Sequence, residues 1–131
     1  GCLKNICESV INSMKKVNCK SKNIKAIIGP CINLKNYEVD KKFYIEFLKK
    51  NKNYDSFFIY NKLKKNYTFD LASTLEYQLK KLSIKKVIMK NIDTYSNNHK
   101  FFSHRRVMKK NIKTGRMINI IGFSQYYINK I

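Results

Sequence analysis

The spacing of apolar residues changes period several times along this 131-residue chain, and those changes restrict the fold more than any other feature. Leu3, Ile6, Cys7, Val10, Ile11, Met14 and Val17 recur at steps of three and four, with Lys4, Glu8, Lys15 and Lys16 off the stripe. That spacing predicts an amphipathic helix over 2–18. Ile24 to Ile28 is a short β-branched run stopped by Gly29-Pro30, which predicts a strand and a tight turn. Asp40 is placed to cap a second helix through Lys50, with Phe43, Tyr44, Phe47 and Leu48 inward. Strands are expected at Phe57 to Tyr60 and Tyr67 to Phe69, joined by a hairpin-like turn over Lys62 to Asn66. Asp70 would cap a third helix carrying Leu71, Leu75, Tyr77, Leu79 and Leu82, and Ile84 to Met89 reads as another strand. Residues 90–115 are polar and irregular apart from the cluster Phe101 to Arg106. Arg116 to Phe123 reads as a final apolar strand around Gly122.

Helices interleaved with strands in this order imply a mixed α/β (α+β) domain, a mixed sheet flanked by helices. There is no internal repeat or low-complexity linker, and the length suits one unit over residues 1–131. No apolar run approaches the roughly 18 residues of a membrane span, so no membrane partner is expected. The first residues lack the pattern of a secretory signal. The chain opens on Gly1 and its first Met is Met14, within a helix, which suggests a piece of something longer.

The formal charge is +20, from 28 basic and 8 acidic side chains. Lys, Asn and Ile are together in an excess that A/T-rich coding would produce, and Lys is spread evenly from Lys4 to Lys130. Such a chain binds polyanions weakly and in a salt-dependent way whatever its role. A basic nucleic-acid module would rest on charge alone, because no zinc finger, helix-turn-helix or aromatic RNA motif accompanies it. The arginines are different. Arg105, Arg106 and Arg116 fall within twelve residues, which suggests a need for the planar guanidinium fork that Lys lacks, or else structural ion pairs to acids such as Asp70 or Glu38.

Cys2, Cys7, Cys19 and Cys31 form no CxxC pair and match no zinc-finger spacing. Free thiols in a reducing cytoplasm are the expectation. Cys31 has no positioned His beside it in sequence to make it a nucleophile. No Gly-rich phosphate loop, catalytic carboxylate pair or Ser-centred elbow is present.

Several short segments occur together in a recognisable order: Gly29-Pro30-Cys31-Ile32, Tyr37-Glu38-Val39, Phe69-Asp70-Leu71, Asp93-Thr94-Tyr95, Phe101-Phe102-Ser103-His104-Arg105-Arg106 and Thr114-Gly115-Arg116-Met117. On these the chain resembles the C-terminal half of the YfiH family, long labelled multicopper polyphenol oxidase or laccase-domain proteins. The resemblance implies a mixed sheet flanked by helices and an enzyme that phosphorolyses adenosine, inosine and methylthioadenosine and deaminates adenosine. It also implies zinc (copper in the older label) held by two His and one Cys in motifs upstream of Gly1. No metal ligand is therefore expected in this chain, which alone would be inactive, and the missing N-terminal half becomes a partner. A substitute site would need Cys31, His99 and His104. Asp93 stands where the family usually carries Cys, and His104 where it often carries Tyr. The competing readings are an inactive split-gene remnant and the basic nucleic-acid module.

Phosphorolysis needs a bound phosphate beside the nucleoside while charge develops at the sugar, and a guanidinium fork matches two phosphate oxygens. Arg105, Arg106 and Arg116, supported by Ser103, are the anion-contact candidates, with at least one of the three expected to be structural. Gly29 is a candidate because a glycine turn can bring backbone donors close to a ligand. Phe101 and Phe102 either stack on a base or pack in the core.

Overall fold

Side-chain caps start three of the four helices in the computed structural model, which describes residues 1–111, 113 and 115–122. The Asp40 carboxylate accepts the Phe43 N–H at 2.7 Å and opens α2, Lys41–Lys50. Asp70 accepts the Ser73 N–H at 3.0 Å and its hydroxyl at 2.8 Å, opening α3, Leu71–Lys81. Caps of this kind stabilise a helix by about 1 kcal/mol each. Ser103 opens a short α4, His104–Lys110, inside the stretch expected to be irregular. The first helix is shorter than its apolar pattern. Asn5, left-handed at φ 52°, separates a 3₁₀ turn at Cys2–Lys4 from α1, Ile6–Lys16, and Asn18 at φ 64° turns the chain away afterwards. Asparagine tolerates this conformation, so it can interrupt a helix without breaking the hydrophobic stripe.

The expected mixture of helix and strand is present, with its parallel and antiparallel strands divided between two sheets. β1, Lys25–Ile28, pairs in parallel with β5, Lys86–Met89, placing Ile28 opposite Met89. β2 (Glu38–Val39), β3 (Phe58–Asn61) and β4 (Asn66–Phe69) form an antiparallel sheet in the order β2-β4-β3. The first sheet packs on aliphatic residues, Ile11 of α1, Leu79 of α3 and Ile84 with Ile24 and Ile28. The second packs on aromatic ones, with Phe47 and Phe69 each 1% exposed beside Tyr54. α3 serves both, since Leu75 touches each cluster. Its buried Gln78 donates to the Cys2 carbonyl and to the Tyr54 hydroxyl, both at 3.0 Å, tying the chain start to the aromatic core.

The expected strand at Arg116 to Phe123 is not formed by residues 116–122, and Phe123 lies outside the described residues. Ile118, Ile120 and Ile121 are 86%, 91% and 77% exposed. Apolar composition alone does not make a strand, because the backbone groups need a neighbour to pair with. Among the described residues no helix is long and apolar enough to cross a membrane.

Candidate functional site

The parallel strands β1 and β5 end side by side, and a single carboxylate organises the loops that leave them. Cys31 and Asp93 form an isolated parallel bridge, with the Cys31 N–H donating to the Ile92 carbonyl at 3.1 Å. Asp93 accepts from the N–H groups of Asn33, Tyr95 and Ser96 at 3.0, 3.0 and 3.1 Å, from the Asn36 amide at 2.7 Å, and from the Ser96 hydroxyl. Partial burial works against its ionisation, yet these hydrogen bonds outweigh that and hold the carboxyl below its usual range. Where the resemblance expected a thiol, this chain has an acid that fastens two loops together.

Those loops lead to the arginines. Arg106 is buried, and its guanidinium donates to the carbonyls of Thr94 at 2.9 Å, Tyr95 at 2.6 Å and Phe101. It is a clamp on the 94–101 loop, held by backbone carbonyls, not by Asp70 or Glu38. Buried Ser103 accepts from the Arg106 N–H at 3.4 Å as the cap of α4. Consecutive residues of a helix are rotated by about 100°, so Arg105 stays partly exposed where Arg106 is buried.

Arg105 is half-buried, its guanidinium carbon 5.4 Å from the centre of the Tyr37 ring. It lines an open cleft of about 470 Å³ with Tyr37, Phe43, Glu38, Asp40 and Asn66. Among the described residues its guanidinium makes no hydrogen bond or ion pair with protein. The two carboxylates of the cleft are otherwise engaged. Glu38 is paired with Lys64 and with Lys109, the latter at 3.2 Å, and these lysines hold it below the usual carboxylate range. Asp40 is bound to the start of α2. Asn66 lines the same cleft, and among the described residues its buried Oδ1 has no hydrogen-bond partner. An arginine fork with free donors and an aromatic wall thus share one cleft. Sequence reasoning picked out Arg105 but missed Asn66 and the Tyr37 ring, which the β2–β4 pairing brings to it.

The other candidates lie elsewhere or are otherwise occupied. Arg116 is exposed on the segment after Gly115, whose added Cβ would meet the Phe102 ring at 2.8 Å. Phe102 therefore packs on the chain at Gly115 while remaining 53% exposed. Gly29 ends β1, and no described glycine takes a positive φ, so its special backbone freedom is not used; a Cβ there would come only within 4.0 Å of Asn119 Oδ1.

A metal finds no fitting donor set here. His99 and His104 are exposed, and among the described residues no three His, Cys, Asp or Glu side chains gather. Burial, then the charges of Asp70 and Asp93, push the Cys31 thiol up; burial above all raises Cys2 to about 11. A thiol held protonated is a poor nucleophile. A cavity of about 100 Å³ beside Cys31, Asp70 and Asp93 offers no remedy, since both carboxylates already accept hydrogen bonds.

The family model described as multi-copper polyphenol oxidoreductase laccase matches residues 1–124. The chain belongs to that family. It is 38% identical over 108 residues to a purine nucleoside phosphorylase of Rickettsia conorii and 41% identical over 109 residues to one of Rickettsia prowazekii. Each match covers 81% of this chain and 43% of the relative, so the chain spans less than half the length of the curated relatives it matches.

Proposed function

We propose that residues 1–131 are the C-terminal portion of one domain of a cytoplasmic purine nucleoside phosphorylase, contributing its scaffold and an anion-facing wall. Purine nucleosides and phosphate as substrates follow the names of the relatives, and adenosine, inosine and methylthioadenosine are the nucleosides that the resemblance implies. Adenosine deamination belongs to the same reading. The zinc that the resemblance implies would be held by residues outside this chain, because those present do not fit it.

The observation that carries the assignment is the Arg105 fork, half-buried over Tyr37 with its donors free. Arg105 would grip two phosphate oxygens, and the face of Tyr37 would hold the fork in place. Arg106 and Ser103 would act at one remove, fixing the loop and helix start that aim Arg105. Exposed Arg116 is a second anion contact in this proposal, and Gly29 forms the turn at the end of β1. In the complete enzyme, Arg105→Lys removes the fork and keeps the charge. The KM for phosphate should rise about tenfold, as expected for losing one charge-assisted bond, while the KM for inosine stays near its original value. Arg116→Lys should act in the same direction and less. Unchanged phosphate kinetics in both variants would make these arginines structural.

A further inference from the structure

We infer that Lys109 is a further anion contact of the Arg105 cleft and that Glu38 competes with phosphate for it. The inference rests on the reading that this cleft takes phosphate, and adds one residue that assists binding and one that opposes it. Arg105 and Lys109 stand four apart on α4, so they lie on one side of the helix, a turn apart. Each cation sits over a ring. The Arg105 guanidinium carbon is 5.4 Å from the centre of Tyr37, and the Lys109 Nζ is 5.7 Å from the centre of Tyr95. Tyr95 is itself fixed through its backbone, its N–H donating to Asp93 and its carbonyl accepting from Arg106. Rings placed in this way restrict both cations and lower the entropic cost of gathering them on one ligand. Glu38 lines the cleft together with Arg105, and its Oε2 lies 3.2 Å from the Lys109 Nζ. The ammonium is therefore already in contact with a residue of the cleft wall.

Glu38 can release Lys109 without being left bare. It holds two lysines, one on each oxygen, Lys64 on Oε1 and Lys109 on Oε2. Lys64 belongs to the β3–β4 turn, whereas Lys109 shares its helix with Arg105. The Lys109 side chain is 42% exposed, and ion pairs this open to water are weak. Handing Lys109 to a phosphate dianion thus costs little and returns a charge-assisted hydrogen bond beside the Arg105 fork. Glu38 opposes binding in two ways, as a like charge on the cleft wall and as a rival for Lys109. A carboxylate that only braced α4 would act with the opposite sign, because removing a brace weakens the site.

The test is equilibrium binding of inorganic phosphate to the full chain at constant ionic strength and near-neutral pH. Lys109→Met should weaken binding roughly fivefold, the worth of one hydrogen bond. Lys110→Met removes the same charge from the next, exposed position and should change binding far less. Glu38→Gln should tighten binding about two- to fivefold, the range of an exposed ion pair. That gain should shrink in the Lys109→Met background, where α4 has no such cation left to release. Weaker binding by folded Glu38→Gln would overturn the inference, as would an equal gain in both backgrounds. Equal losses from Lys109→Met and Lys110→Met, or no binding by the unaltered chain, would do the same. The comparison of Lys109 with Lys110 decides the matter even if Glu38→Gln does not fold. Phosphorolysis by the complete enzyme that depends on Arg105, with Lys109→Met silent, would sink this inference and keep the proposed function. The expected binding pattern without phosphorolysis by the complete enzyme would do the reverse.

Discussion

The parallel pair β1–β5 packs against aliphatic side chains of α1 and α3, whereas the antiparallel β2–β4–β3 sheet packs against rings from α2 and the 3₁₀ turn after it. In the aromatic half the rings are mutually oriented, with Phe47 at 5.2 Å from Tyr54 and 5.0 Å from Phe69. In the aliphatic half no described residue covers one sheet face, and Ile27 is 47% and Ile88 40% exposed, although parallel strands are ordinarily covered on both faces. The difference separates two tasks. The aliphatic half ends in the loops that Asp93 joins, and the aromatic half holds the wall on which Arg105 rests.

The strongest attack on this comparison is Phe47→Ala. A ring 1% exposed and surrounded by others should cost about 3–5 kcal/mol on truncation, read from denaturant midpoints. Ile84→Val, at a site 0% exposed in the aliphatic cluster, should cost only about 0.5–1.5 kcal/mol. If the second change equals the first, the aromatic core is not the dominant one. Next in size is Arg106→Met, which leaves the carbonyls of Thr94, Tyr95 and Phe101 without their donor. The cost should be about 1–3 kcal/mol, with faster amide exchange confined to 94–103.

Asp93 sharpens the comparison through pH. Its folded pKa lies below the unfolded value, so it binds fewer protons when folded and stabilises the fold above the unfolded pKa of about 3.9. That contribution is lost as pH falls through the folded value. Asp93→Asn should therefore be less stable than the parent at neutral pH, and the gap should narrow below about pH 4. A gap independent of pH would mean the carboxylate's charge is immaterial to the loop junction. The smallest effect is expected from Lys64→Ala. The exposed pair with Glu38 should contribute about 0–1 kcal/mol and fade with added salt.

Much of the framework was legible because it is written in local chemistry. Asp40 and Asp70 cap helices where their position before apolar stripes predicted, and the β3–β4 hairpin needs only its alternation and a turn. α4 was not legible, since His104, Arg105 and Arg106 open it with no apolar periodicity and Ser103 alone marks its start. The two-residue β2 gives no pattern of its own and exists through Thr68 and Tyr67 opposite it. The same holds for the site. Guanidinium chemistry drew notice to Arg105, but its separation from buried Arg106 depends on the turn of α4, and Asn66 enters the cleft only through tertiary pairing. The apolar run 116–122 misled because its composition suits a strand whose pairing partner is not found among the described residues.

The claim at the centre is that these residues carry the phosphate wall and not the metal. It is tested most directly by measuring zinc and copper content and phosphate-dependent release of hypoxanthine from inosine with the purified 131-residue chain. The account predicts substoichiometric metal and no phosphate-dependent turnover, with both gained when the region that completes the relatives' length is supplied. Stoichiometric metal with sustained phosphorolysis by this chain alone would contradict it.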